Sequence, residues 1–243
     1  GWGWNDVLPY FLKSENNELG KSEFHNDSGP ITVANKKINL KLLDEFQNAA
    51  EEYGIPKTND FNTGDNTGIG FFQFTTSFNK PGLKLRCSAA KGYLNPAKKR
   101  SNLKIIVNAH VQKINFEGKK AIGASYYNGD KLIEVKANKE VILSSGAIGS
   151  PHILQVSGIG NKEKLKKLGI DIIHESNGVG LNLQDHLMFR PVYKVKNLKS
   201  LNRKVESIFG RFMMGLEYIL NQSGPVTMGA SQVCGFVKSD PSR

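Results

Sequence analysis

The residues best suited to ligand chemistry in this sequence are small and lie between a predicted strand and a predicted helix. Residues 140–143 form an apolar run typical of a strand buried on both faces, and the small residues 144–147 end that run. A helix is predicted to begin near Ser150 and Pro151, with the serine as its cap and the proline in its first turn. Small residues let a backbone approach a ligand closely, and a helix N-terminus offers unpaired N–H groups to a phosphate. The junction therefore indicates either a phosphate-binding turn or a tight turn of an ordinary α/β domain.

Other short motifs narrow the chemistry. Three glycine pairs, at 68/70, 158/160 and 178/180, each lack the third glycine of a GxGxxG dinucleotide fingerprint, which weakens the hypothesis of a nicotinamide dehydrogenase. The sequence contains neither a Walker phosphate loop nor an HExxH zinc motif. The histidines lack the spacing of metal ligands, so we assign no metal site.

The charge balance defines a hypothesis of another class. The chain has 243 residues, with 33 Lys and Arg against 22 Asp and Glu, and a formal net charge of +11. Such an excess is typical of a basic binding module for nucleic acid or an anionic surface. The lysines are scattered, however, and the predicted strands carry both signs, as at Lys113 and Glu134. We therefore expect no nucleic-acid partner and keep the basic module as the alternative.

Cysteine usage and hydropathy exclude two further classes. Cys87 and Cys234 lie far apart without CxxC spacing, which excludes a disulfide scaffold and a zinc ribbon. No run approaches ~18 apolar residues, so we expect no membrane span. We expect a cytoplasmic protein and leave peripheral attachment to a membrane open.

The sequence segments around the junction alternate between helical and strand periodicity, which predicts a mixed α/β fold. Asn128-Gly129 is a strong hairpin signal, and it separates two of three strands that should form an antiparallel meander over residues 111–135. An amphipathic helix is expected to bury Leu42, Leu43, Phe46, Ala49, Ala50 and Tyr53, followed by a long loop at 57–70. Further helices are predicted at 5–12, 86–94, 161–168 and 205–220, and further strands at 103–107, 140–143, 170–173 and 192–195.

Several segments together resemble one enzyme family. The run Gly146-Ala-Ile-Gly-Ser-Pro-His-Ile-Leu-Gln-Val-Ser-Gly-Ile-Gly160 resembles the second signature of the glucose–methanol–choline (GMC) oxidoreductases. The run Gly178-Val-Gly-Leu-Asn-Leu-Gln-Asp-His186 is similar to the family's downstream segment, with Leu181 where the family usually has an acidic residue. Residues 4–11, 25–30 and 86–103 also follow the family pattern, and choline dehydrogenases and related bacterial alcohol dehydrogenases look most similar.

The resemblance implies bound FAD and the oxidation of a CH–OH group, in which the alcohol carbon gives hydride to the flavin and a histidine takes the hydroxyl proton. It implies part of a Rossmann-like FAD-binding domain with the meander, followed by the start of an α+β substrate domain. The expected divisions are 1–78 for the FAD and lid region, 79–186 for the FAD-binding core and 187–243 for the opening of the substrate domain. The family's glycine fingerprint and its catalytic histidine both lie outside these residues, so we expect an internal fragment that is inactive alone.

The resemblance also assigns site residues. Val111 occupies the place where the family's backbone meets the adenine ring, and Ser145, Gly146 and Ala147 lie where the sheet edge faces the dinucleotide. Asn182 and the pair Asp185-His186 are taken as hydrogen-bonding residues near the cofactor, since adjacent residues on an extended chain point to opposite faces. Gln232 falls where relatives have a substrate-pocket side chain, with a surface position as the alternative. No catalytic residue is assigned, and the expected partners are a small alcohol and an electron acceptor, either oxygen or a respiratory chain.

Overall fold

The computed structural model describes residues 1–35, 38–76, 86–198, 200–229 and 231–240. The chain divides into two compact units: unit 1 comprises Gly1–Leu103 with Val192–Arg243, and unit 2 comprises Lys104–Pro191. Among the described residues, no helix is long and apolar enough to cross a bilayer. The three-part division expected from the sequence stays a prediction.

The first part of unit 1 is a set of short elements joined by loops. They are α1 (Trp4–Ser14), β1 (Glu15–Asn17), β2 (Ile31–Val33), α2 (Lys41–Glu52), β3 (Gly68–Phe71), a π-helical turn (Ala90–Leu94) and α3 (Asn95–Ala97). β1 and β2 pair in parallel, with Glu15 opposite Ile31. Buried side chains of this region include Ala34, Ile38, Ile69 and Cys87.

Unit 2 is built on the meander. Its elements are β4 (Ala109–Glu117), β5 (Lys120–Asn128), β6 (Lys131–Lys136), α4 (Gly146–Val156), β7 (Ile159–Gly160), α5 (Lys162–Lys167) and β8 (His174–Glu175). β4, β5 and β6 form an antiparallel sheet in chain order, as predicted. Gly118 and Gly129 lie in the two connecting turns with positive φ, which is the conformation that tight hairpin turns require.

The last part of the chain returns to unit 1. It contains α6 (Asn202–Glu206), α7 (Ile208–Asn221), a 3₁₀ turn (Pro225–Thr227) and β9 (Val233–Phe236). β9 pairs antiparallel with β3, with Gly68 opposite Phe236, and thereby joins the two ends of unit 1. The sequence pattern did not predict β9.

Four predicted strands are wrong in the structure. Residues 103–107, 140–143, 170–173 and 192–195 form no strand, and the two-residue β8 begins only after residue 173. A strand exists only where another strand satisfies its backbone groups, and the described residues supply no partner for these segments. The apolar run at 140–143 is accordingly irregular, with Ile142 exposed.

Two helix predictions also need correction. The predicted buried face of α2 is largely exposed, with 61% of Phe46 and 87% of Tyr53 accessible, whereas Gln47 is buried. The amphipathic pattern identified the helix but not the side by which it packs. At 86–94 the chain becomes helical only from residue 89, and the helical segment continues through Asn95 and Pro96 of α3 instead of ending before them.

Candidate functional site

A cleft of about 680 Å³ in unit 2 brings together residues that the sequence analysis assigned separately. One wall is α4 with Ala147 at its start, and the other is the segment 178–184 with Asn182. The exposed apolar side chains of Ile148, Leu181 and Leu183 also line it. Its size and mainly apolar lining are those of a small-molecule site.

The start of α4 explains why its small residues matter. Ser145 stands at the N-cap, and its backbone N–H donates to the Ser150 hydroxyl at 3.0 Å. Gly146 has a φ of +80°, and nothing lies within 4 Å of where its Cβ would be. The helix begins at Gly146, four residues before the predicted cap at Ser150, and glycine adopts the positive φ of this position without strain. The backbone of this turn is open to an incoming ligand.

The second wall is held against α4 by a side chain that the sequence analysis missed. The Gln155 side-chain amide donates from Nε2 to the Val179 carbonyl oxygen at 3.0 Å. Gly180, with a φ of +77°, lies so close to this amide that a Cβ would come within 2.5 Å of Nε2. Asn182, two residues after Gly180, has a φ of +57°, a conformation that asparagine tolerates better than most residues. A glutamine near the end of a predicted helix carries no sequence signal for this contact.

Val111 lies in the same unit but not in the lining of the cleft. It is in β4 opposite Tyr126, beside an irregularity in register between Val111 and Lys113. The buried Ser157 hydroxyl, just past the end of α4, accepts the Ile114 backbone N–H at 2.9 Å. The meander and α4 are thus tied together, while the role of Val111 toward a cofactor stays a prediction.

Gln232 lies in unit 1, immediately before β9, and only 7% of it is exposed. The alternative of a surface position is therefore wrong. Its Nε2 donates to the carbonyl oxygens of Gly229 (2.9 Å) and Ser231 (3.3 Å), which fixes the orientation of the amide. Its Oε1 is buried without a hydrogen-bond partner among the described residues. A buried acceptor of this kind is costly unless a donor meets it.

Asp185 and His186 make only a local contact in the described structure. The His186 backbone N–H donates to Asp185 Oδ1 at 2.8 Å, and both residues are exposed. Their expected role near a cofactor is not tested by this arrangement.

A charged cluster in unit 1 is the most buried group of ionisable side chains described, and the sequence analysis did not find it. His25 is 6% exposed. Its Nδ1 lies 2.9 Å from Glu15 Oε2, and its Nε2 lies 2.7 Å from Asp60 Oδ2. Asn17, also buried, contacts both His25 and Gln73 through its side-chain nitrogen. The three charged residues come from β1 and two loops, so no local pattern could have revealed their association.

The electrostatics of this cluster favour a protonated imidazole. Burial alone lowers the pKa of His25, but hydrogen bonds and attraction from Glu15 and Asp60 outweigh it and raise the pKa above the usual 6.5. One wall of a cavity of about 600 Å³ in unit 1 includes Glu15 and His25, and Phe61 and Asn62 line it just after Asp60. The cluster therefore stabilises one wall of this cavity. Among the described residues, no group of His, Cys, Asp and Glu is arranged to hold a metal ion.

Comparisons with known proteins agree with this architecture. Residues 1–188 match the family described as GMC oxidoreductase. The chain is 38% identical over 239 residues to an oxygen-dependent choline dehydrogenase of Pectobacterium atrosepticum, covering 98% of this chain and 42% of that protein. It is 39% identical over 240 residues to an oxygen-dependent choline dehydrogenase of Chromohalobacter salexigens, with the same coverage.

A solved structure, an FAD-dependent oxidoreductase from Chaetomium thermophilum, superposes with a TM-score of 0.84 at 29% identity, covering 97% of this chain and 43% of that one. The mixed α/β fold predicted from the sequence is confirmed. The chain belongs to the GMC oxidoreductase family. It spans less than half the length of the relatives it matches.

Proposed function

We propose that these residues form part of an FAD-dependent oxidoreductase that oxidises the CH–OH group of an alcohol, of the choline dehydrogenase type. The single observation that carries the proposal is the match of residues 1–188 to the GMC oxidoreductase family. Because the chain spans 42% of its choline dehydrogenase relatives, the activity is proposed for a protein that contains these residues, not for residues 1–243 alone.

The cleft of unit 2 is suited to part of the cofactor. Ser145, Gly146 and Ala147 form the turn at the start of α4; the Ser145 N–H is held by the Ser150 hydroxyl, and the N–H groups of the first helical turn that follow are suited to a phosphate. Asn182 offers an amide from the opposite wall. We propose that these four residues bind FAD, with Val111 contacting its adenine end. FAD itself supplies the acceptor for the hydride.

Gln232 is proposed to meet the substrate. Its amide nitrogen is held by two carbonyl oxygens, which leaves the buried Oε1 as a fixed acceptor for a donor such as an alcohol hydroxyl. No residue of the chain is assigned a role in proton transfer. The proposed partners are therefore the alcohol and an electron acceptor, and the proposed location is the cytoplasm, with peripheral membrane attachment left open.

The test is an absorbance spectrum of the protein purified from the complete reading frame. We expect a flavin band near ~450 nm that bleaches when choline or another alcohol is added without oxygen. A folded but colourless protein that binds no FAD contradicts the proposal, and a salt-dependent gel shift would then support the basic binding module.

A matched pair of variants localises the cofactor. Gly146 and Gly169 both have positive φ with open space around the Cβ position, but Gly169 follows α5, whereas Gly146 directly precedes the cleft residue Ala147. The backbone strain that alanine adds is similar at the two positions, so a difference between the variants reports on the site and not on strain. We expect Gly146→Ala to weaken FAD binding and Gly169→Ala to leave it unchanged. Equal FAD affinity in the two variants contradicts the assignment of the turn at Gly146.

A further inference from the structure

We propose that Gln155 is a positioning residue that fixes the 178–184 wall of the cleft against α4, and so places Asn182 for the cofactor. The inference rests on the proposed function for its cofactor, but its structural part stands on the contacts of this chain alone. Gln155 is half-buried and contacts the wall from the last turn of α4.

A direct hydrogen bond joins the two walls. Gln155 Nε2 donates to the Val179 carbonyl at 3.0 Å, from a side chain 24 residues away in sequence. Just before this point the wall is tied to β7 and its flank, because the Ser176 N–H donates to the Gly160 carbonyl at 3.0 Å and Asn161 Nδ2 donates to Asn177 Oδ1 at 2.7 Å. The wall is therefore anchored at residues 176 and 177, and Gln155 extends the anchoring to 179.

The wall leaves room for this glutamine at Gly180. The Cβ that Gly180 lacks would lie 2.5 Å from Gln155 Nε2 and 3.3 Å from its Cδ. The φ of +77° at Gly180 also disfavours any other residue. The glycine and the glutamine thus form a matched pair, in which one residue's missing side chain accommodates the other's amide.

The segment after Val179 has little regular structure to hold it. Residues 182–191, all of them described, form no helix or strand. Asn182 begins this segment and lines the cleft together with Ala147. A segment without a hydrogen-bond ladder depends on its last anchor for its position, so the contact at Val179 determines how well Asn182 is held.

The experiment measures hydrogen exchange of backbone amides across 178–184 in the 243-residue chain, with Val179 and Leu181 as reporters because their N–H groups donate to the Ser176 and Gly178 carbonyl oxygens. Gln155→Leu keeps the size of the side chain and removes the donor. Removing one such hydrogen bond should speed exchange of these amides by about three- to tenfold without changing the exchange of the meander. Gln112→Leu is the matched control, since it makes the same substitution at an exposed position of β4 that does not line the cleft. Unchanged exchange at 178–184 in Gln155→Leu overturns the inference.

A double-mutant cycle tests the pairing with Gly180. Gly180→Ala alone should speed exchange of the wall more than Gln155→Leu does, because it displaces the Gln155 amide and also strains the backbone at a φ of +77°. In the double variant Gln155→Ala/Gly180→Ala the clash is gone and only backbone strain remains, so exchange should be slower than in Gly180→Ala alone. Gln155→Ala is measured alone as well, and additive effects of Gln155→Ala and Gly180→Ala contradict a direct contact.

The cofactor part is tested separately, by FAD titration of the protein from the complete reading frame. We expect Gln155→Leu to bind FAD about three- to tenfold more weakly at an unchanged melting temperature, a combination that a purely structural role does not give. Equal affinity in wild type and variant overturns the positioning role. Absence of FAD binding by the wild type contradicts the proposed function instead, while the exchange data still decide whether Gln155 holds the wall.

Discussion

Each unit joins segments that are distant in sequence, and the two units do so through different kinds of polar contact. In unit 1 the joint is ionic, since His25 lies between Glu15 and Asp60. In unit 2 the joints are neutral hydrogen bonds, from the Ile114 backbone N–H to Ser157 and from Gln155 to the backbone of Val179. Because one joint is charged and the others are neutral, the two units should respond differently to the loss of a side chain and to pH.

The ionic joint is the stronger constraint and the more vulnerable one. Two carboxylates and an imidazolium are removed from most of the solvent, and each charge is tolerable only while its partner is present. The hydrogen bonds of unit 2 involve no charged group. Removing one therefore leaves only a single backbone group without a partner. Three measurements test whether the ionic contact of unit 1 and the neutral contacts of unit 2 differ in this way.

The largest effect is expected from His25→Leu. The substitution leaves Glu15 and Asp60 facing each other without a cation, and breaking a buried ionic cluster in this way costs about 3–5 kcal/mol. The free energy of unfolding from urea denaturation measures it. His110→Leu, at an exposed position of β4, is the control and should change stability by less than about 0.5 kcal/mol. A loss below about 1 kcal/mol in His25→Leu would show that the cluster is not an ionic joint.

Ser157→Ala should have an intermediate effect. Its hydroxyl accepts the Ile114 N–H in a buried setting, so its removal leaves that donor unsatisfied at a cost of about 1–3 kcal/mol. The loss should be the same at every pH between about 6 and 9, because no group in the contact titrates. Ser101→Ala, at an exposed position, provides the reference. A pH-dependent loss in Ser157→Ala would break the distinction between the two units.

The smallest effect is the pH dependence of the wild-type chain. The folded-state pKa of His25 is raised above 6.5, so its stabilisation is complete below pH 6.5 and declines as the pH rises through the higher folded-state value. We expect the melting temperature to fall as the pH rises above 6.5 and through the raised folded-state pKa of His25, and His25→Gln to remove that part of the fall. The effect is smaller than that of His25→Leu because a neutral imidazole still donates one hydrogen bond. Parallel pH profiles for wild type and His25→Gln would contradict the raised pKa.

The meander and the turn before α4 in unit 2 could be predicted because their signals lie in neighbouring residues of the sequence. Glycines at the two turns and β-branched or aromatic residues between them specify the meander within about 25 residues, and the three strands together cover 109–136 where 111–135 was predicted. The small residues at 144–147 likewise indicated a backbone turn at the start of a helix, and only the cap was misplaced, at Ser150 instead of Ser145.

The failures share one physical cause. Residues 140–143 have the composition of a buried strand, but a strand depends on a partner that composition does not supply. The helix α2 has a clear apolar face, yet that face is exposed at Phe46 and Tyr53, because which side packs depends on neighbours distant in sequence. Gln232 illustrates the same point, since its burial depends on residues around β9 that no local pattern predicts.

The family, the mixed α/β class, the meander and the small-residue turn before α4 follow from the sequence, because each depends on contiguous residues or on their order along the chain. Which residues meet became visible in the folded chain: Ala147 with Asn182 in one cleft, Gln155 with Val179, and His25 with Glu15 and Asp60. These contacts join segments up to 35 residues apart, and their existence depends on the balance of packing, desolvation and charge in the folded chain.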